Sequence, residues 1–172
     1  MNLTPTTEEA GLFAAMKVLI VDDSAEMRRL LAALLEAIGI VNVLCAPNGD
    51  AGLKLFAEFA PDLVITDGDM QPMDGYEMTR RIRAAHAGDM PGRNRDVPVL
   101  MVSGHRDAST VTRARDEGVT DYIVKPLTPA LLYERLRAAI AQPIHIVETA
   151  TYRGPSPTRK LTAHAIDGVK PL

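Results

Sequence analysis

Cysteine and tryptophan are almost missing from this chain. Its 172 residues include one cysteine, Cys45, no tryptophan, and only 4% aromatics. A lone cysteine closes no internal disulfide, which excludes a disulfide scaffold and fits a reducing compartment. No apolar run approaches the ~18 residues of a membrane-spanning helix. The amino terminus carries Glu8 and Glu9 and no early Lys or Arg, so it lacks the pattern of a secretion signal. These absences predict a cytoplasmic protein with no membrane association. The four histidines show no metal-ligand spacing. Neither sign of charge dominates: 19 basic residues stand against 22 acidic ones, a net charge of −3. Residues 142–172 are mildly basic, with Arg153, Arg159, Lys160 and Lys170 against Glu148 and Asp167, so the negative excess lies in the body. A dedicated nucleic-acid binder usually shows a basic face, and this body is acidic.

Apolar side chains are plentiful. Hydrophobic residues make up 47% and charged residues 24%, near the globular average, which excludes wholesale disorder. The length fits one domain with an appendage. Four short runs are nearly continuous in Val, Ile and Leu: Lys17–Val21, Asp62–Thr66, Val97–Ser103 and Asp121–Val124. Continuous rather than alternating runs suit strands covered on both faces, as in a parallel sheet. Val41–Ala46 is a weaker fifth.

Helical periodicity fills the gaps. Met27, Leu30, Leu31, Leu34, Leu35 and Ile38 form an apolar stripe after Ser24, stopped by Gly39. Asn48 opens a second helix with Leu53, Phe56, Ala57 and Ala60, ended by Pro61. A third follows Asp74-Gly75, with Tyr76, Met78 and Ile82. The fourth opens at Asp107 and ends at Gly118, and the fifth has Thr128 as cap and Pro129 in its first turn. Five β-α units predict an α/β domain with right-handed crossovers over residues 16–141. Residues 1–15 are predicted to be a loose leader, and 88–96 a polar loop.

Ligands of open α/β sheets bind beyond the carboxyl ends of the strands. Asp22-Asp23, Asp67, Ser103-Gly104 and Lys125-Pro126 follow four of the runs. Each alone has a plain explanation: an Asp is often a helix cap, a Ser a turn residue, Lys-Pro a loop. Together they gather three carboxylates, a hydroxyl and an ammonium at one rim. Packed carboxylates repel, and a hard cation such as Mg²⁺ relieves them. The lysine and the hydroxyl suit the remaining oxygens of a phosphoryl group, and a carboxylate can be its nucleophile.

These residues resemble the receiver domain of two-component response regulators. The motifs are VLIVDDS at 18–24, PDLVITDGDMQPMDG at 61–75, VPVLMVSG at 97–104 and DYIVKPLT at 121–128. The resemblance covers 16–141 and implies a flavodoxin-like fold with strand order 2-1-3-4-5 and five helices. It implies Asp67 as phospho-acceptor, with Lys125 contacting the phosphoryl group across a cis Lys125–Pro126 bond. Asp22 and Asp23 would bind Mg²⁺ or Mn²⁺, Asp23 more directly, with Asp67 and the Asp69 backbone carbonyl. Ser103 would be the switch hydroxyl and Tyr122 the aromatic that follows it. Asp69 and His105 stand where phosphate lifetime is tuned. Met70-Gln71-Pro72 departs from the family's Met-Pro by one position.

The same resemblance implies a sensor histidine kinase or histidine phosphotransfer protein as phosphodonor, and a downstream protein target. Residues 142–172 are too few for a typical independent output domain and lack a helical apolar stripe, so no DNA-binding domain is expected, and the protein would be a monomer or weak dimer. In this tail, residues 144–147 could form a strand, and Thr151–Lys160 loosely resembles the aromatic-x-Gly-Pro and basic tail of some stand-alone receivers. The tail is either disordered or docked on its own domain or a neighbour. Two other functions bear weighing. A haloacid-dehalogenase-like phosphohydrolase shares an Asp-x-Asp at 67–69, but its second acidic pair follows the lysine, whereas Asp22-Asp23 comes first here. A phosphate-independent interaction module would have lost an essential site residue, and none is missing.

Overall fold

In the computed structural model, described over residues 5–85, 94–141, 145–156 and 161–164, the apolar runs become parallel strands. They are β1 (Lys17–Val21), β2 (Asn42–Ala46), β3 (Leu63–Asp67), β4 (Val99–Ser103) and β5 (Asp121–Val124). Their order is β2-β1-β3-β4-β5, as the resemblance implied. The helices are α1 (Thr7–Ala15), α2 (Ala25–Ala37), α3 (Gly49–Phe59), α4 (Gly75–Ala84), α5 (Ala108–Asp116) and α6 (Pro129–Ala141).

Side chains alternate across a strand, so consecutive residues of β1 serve opposite faces. Val18 and Ile20 join Leu31 and Leu35 of α2 and Leu132 and Leu136 of α6. Leu19 and Val21 join Phe56 of α3 and Met78 and Ile82 of α4. Each such side chain, fully buried, contributes about 1.5–3 kcal/mol relative to exposure. The caps expected at Asn48 and Thr128 are in place, accepting from the first turn of α3 and from Leu131 N–H, and Ser24, Asp74 and Asp107 cap α2, α4 and α5 in the same way. Two stripe positions depart from expectation. Leu30 is exposed, and Ala60 leaves α3 as its left-handed cap.

The helix count is six, not five, and the leader expected to be loose is largely α1. Thr6 and Glu9 form a capping box, Phe13 is buried edge-on against Tyr133, and Glu9 pairs with Arg137 of α6. A single anchoring aromatic carries little periodicity, which hid the helix from the sequence pattern.

The described part of the tail is docked. β6 (Ile146–Glu148) and β7 (Arg153–Pro155) form an antiparallel hairpin. Arg153 bridges Asp96 at 2.6 Å and also pairs with Glu148. β8 (Ala163–His164) then adds to β5 as a sixth, parallel strand. Near the hairpin, at the amino ends of β4 and β5, Arg83 of α4 is 2% exposed. It donates to the carbonyls of Gly118 (3.0 Å) and Arg95 (2.5 Å) and to Thr120 Oγ1. Burial pulls its pKa down to about 10, against the pull of Asp96 and Tyr152. Of the two arginines expected in the polar loop, Arg95 folds back onto the Ala85 carbonyl, while Arg93 lies outside the described residues.

Candidate functional site

The sheet brings the predicted chemistry together. Asp22, the residue after β1, is 1% exposed, and Asp67, the last residue of β3, is 8% exposed. Lys125, just beyond β5, reaches both: its Nζ lies 3.1 Å from Asp67 Oδ2 and 3.3 Å from Asp22 Oδ2. Its own backbone is fixed by donation to the Ser103 carbonyl at 2.8 Å. Asp22, Asp23 and Asp67 each offer a carboxylate oxygen within 4.8 Å of the others. Asp22 is oriented by Ser24 N–H at 2.8 Å, and its carbonyl accepts from Arg28 at 2.6 Å.

Three carboxylates and one ammonium leave two formal negative charges in a small space. Burial pushes the Asp67 carboxyl up, the Lys125 charge pulls it down, and Asp22 pushes it up again; the net direction is up. Burial works against the Lys125 ammonium, but Asp67 and Asp22 outweigh it and raise its pKa. This donor set, all oxygen and net negative, fits a small hard divalent cation.

The floor of the site is as specific as its rim. Gly75, the first residue of α4, donates to the Gly68 carbonyl at 3.1 Å. A Cβ there would collide with the Asp67 carbonyl oxygen and press on Thr66 Oγ1. Thr66 itself donates to that same carbonyl at 2.9 Å. Sequence reasoning missed Thr66 and Gly75 as site residues, although the motif at 61–75 contains both. Beneath Gly68 lies Tyr76, buried, its ring 4.0 Å from the Arg113 guanidinium. Its hydroxyl has no partner in hydrogen-bonding geometry among the described residues, and burial, with Tyr122 beside it, drives its pKa upward.

The expected switch and tuning residues line one side. Ser103 is fully buried, and its Oγ accepts from His105 N–H at 3.2 Å. Tyr122 is fully buried as well, with its hydroxyl on the His105 carbonyl at 2.9 Å. The side chains of Asp69 and His105, both more than half exposed, meet at 3.1 Å. Nothing in the spacing of the two residues foretells this contact. Lys125–Pro126 is cis, and so is Gln71–Pro72 at the shifted proline.

Comparison with known proteins agrees with this geometry. A family model described as the response regulator receiver domain matches residues 18–137. The chemotaxis protein CheY1 of Helicobacter pylori (strain J99) is 36% identical over 126 residues, spanning 73% of this chain and 97% of that protein. CheY-3 of Vibrio cholerae is 37% identical over 128 residues, spanning 74% and 94%. Among solved structures, a putative response regulator from Chloroflexus aurantiacus superposes with a TM-score of 0.66 at 28% identity, covering 74% of this chain and 98% of that one. The matches lie on the strands and helices that carry the acidic rim. No helix among the described residues is long and apolar enough to cross a membrane.

Proposed function

The chain belongs to the response regulator receiver family, and from that premise we propose that it is a phospho-accepting switch. Such domains are signalling modules rather than enzymes that turn over an external substrate. In this reading a histidine kinase or phosphotransfer protein in the cytoplasm presents a phosphohistidine. An Asp67 carboxylate oxygen attacks phosphorus, the P–N bond breaks, and the departing imidazole keeps the electron pair and takes a proton. The product is an acyl phosphate on Asp67.

Asp22, Asp23, Asp67 and the Asp69 carbonyl would hold Mg²⁺ or Mn²⁺, which would supply positive charge to the phosphoryl oxygens when bound. Lys125, already against Asp67, contributes a second positive charge. Transfer of this kind rests on positioning and electrostatics, and these groups provide both. The new group adds up to about two negative charges and three acceptors. Ser103 and Tyr122 convert that addition into a changed surface for a downstream protein. Asp69 and His105 stand over the route of attacking water and set the lifetime.

The observation that carries the reading is Lys125 bridging Asp67 and Asp22 beside Asp23. The test is labelling with acetyl phosphate and Mg²⁺, read by intact mass. Wild type should gain roughly +80 Da for one phosphoryl group, and Asp67→Asn should gain nothing. A labile adduct at full stoichiometry on the Asn variant would remove Asp67 from the role.

A further inference from the structure

A five-stranded sheet in this order has two edges, β2 and β5. The β5 edge is occupied by the chain's own tail. Ala163 stands opposite Tyr122 and His164 opposite Ile123, in parallel register. Leu161 and Ala163 pack on the apolar cluster of Tyr76, Met101, Ala114, Tyr122 and Val124. His164 Nε2 meets Asp121 Oδ1 at 3.1 Å, and Arg135 Nη1 lies 2.9 Å from the same ring nitrogen. The tail thus makes the contacts an added peptide strand would make: backbone pairing for affinity, with small and apolar side chains for specificity. It makes them directly over Tyr122, the residue whose hydroxyl bonds the segment after Ser103.

We propose that residues 161–164 are a built-in competitor on the β5 edge, a stand-in for an extended peptide partner that would add there. The partner it fits is an extended peptide that adds to β5 as a parallel strand. That peptide carries apolar or small side chains at the two positions of Leu161 and Ala163, and a cationic or hydrogen-bonding one facing Asp121. Tail and partner compete for one seat. Because Tyr122 forms the wall of that seat, occupancy is coupled to the state of Asp67, a coupling that rests on the phospho-acceptor reading.

The test uses full-length protein and a fluorescent peptide of residues 158–167 as the probe. An attached competitor acts at an effective concentration on the order of millimolar. Wild type should therefore bind the probe weakly. The variant Leu161→Asp/Ala163→Asp, which sets carboxylates against the apolar seat, should bind it on the order of ten-fold more tightly. His164→Ala, which removes the contacts to Asp121 and Arg135 and spares the apolar ones, should move binding the same way by a smaller factor. Hydrogen exchange in wild type should be slower at 161–164 than in the free probe. Equal probe binding by wild type and both variants overturns the competition, and unprotected amides at 161–164 overturn the seat.

Beryllofluoride with Mg²⁺ should raise probe binding to Leu161→Asp/Ala163→Asp, whose seat is free, and should move wild type little, because tail and probe share one sequence and gain alike. If it binds Asp67 and the probe affinity of Leu161→Asp/Ala163→Asp stays fixed, the coupling is overturned and the tail is a static plug. If it does not bind at all, the phospho-acceptor reading fails, and the variant arm still decides the seat.

Discussion

Two cations, Arg83 buried and Lys125 partly so, sit at opposite ends of this sheet, and their partners differ in kind. Lys125, at the carboxyl end, is held by two carboxylates. Arg83, near the amino end, is held by neutral carbonyls and a hydroxyl. A cation among neutral acceptors has nothing to exchange with; it ties α4 to the loop before β4 and the turn before β5. A cation among an excess of carboxylates leaves negative charge over, which draws in further cations and the groups they carry. The same element, a positive charge drawn in from solvent, is a staple in one place and part of the proposed phospho-acceptor site in the other.

The sharpest way to break this contrast is Arg83→Met. It strips two buried carbonyls of a donor, and each orphaned buried group costs about 1–3 kcal/mol, so a loss of about 3 kcal/mol or more is expected. Urea unfolding measures it, and the folded fraction should still accept phosphoryl on Asp67. A loss under about 1 kcal/mol would mean Arg83 is not a staple.

Gly75→Ala tests the site end. Overpacking commonly costs about 1–3 kcal/mol, and here the strain falls on the Asp67 carbonyl, so labelling by acetyl phosphate should slow along with the stability loss. Normal labelling in a destabilised variant would uncouple the floor of the site from its chemistry.

A third expected effect separates the two charges directly. Mg²⁺ at ten times its dissociation constant should stabilise wild type by about 1.4 kcal/mol, measured as a shift in the urea midpoint. Asp22→Asn/Asp23→Asn should erase that shift, and Arg83→Met should leave it intact.

The smallest effect is in pH, without metal. The folded carboxyl of Asp67 titrates above its ordinary value near 3.8, chiefly because it is buried. The native state therefore holds its proton to higher pH than the unfolded chain does. As pH rises from that ordinary value through the raised one, wild type should lose stability relative to Asp67→Asn, and above it the difference should level off. A difference curve that climbs with pH would show that attraction to Lys125 outweighs burial.

Much of this was legible in the residues. The strand runs, the caps at Ser24, Asn48, Asp74, Asp107 and Thr128, and the acidic rim all follow from local patterns that the fold does not override. What escaped depends on contacts far apart in sequence. α1 is held by Phe13 on Tyr133 and Glu9 on Arg137, and its own stripe is weak, though the Thr6–Glu9 capping box was there to read. β8 is two residues long, too short for any period, and exists because β5 offers an edge. The Asp69–His105 contact joins two loops whose approach no spacing announces.

That short sixth strand also bears on how many molecules can join. Unpaired strand edges are where sheets from separate chains pair with one another. With β5 covered, β2 is left as the terminal strand of the described sheet at its other side, where Leu44 is exposed. In the terms of polymer chemistry the two ends of the described sheet differ in functionality: β2 offers an edge of five residues and β8 one of two. β8 is therefore a partial chain stopper, shortening the edge on which a further copy could pair.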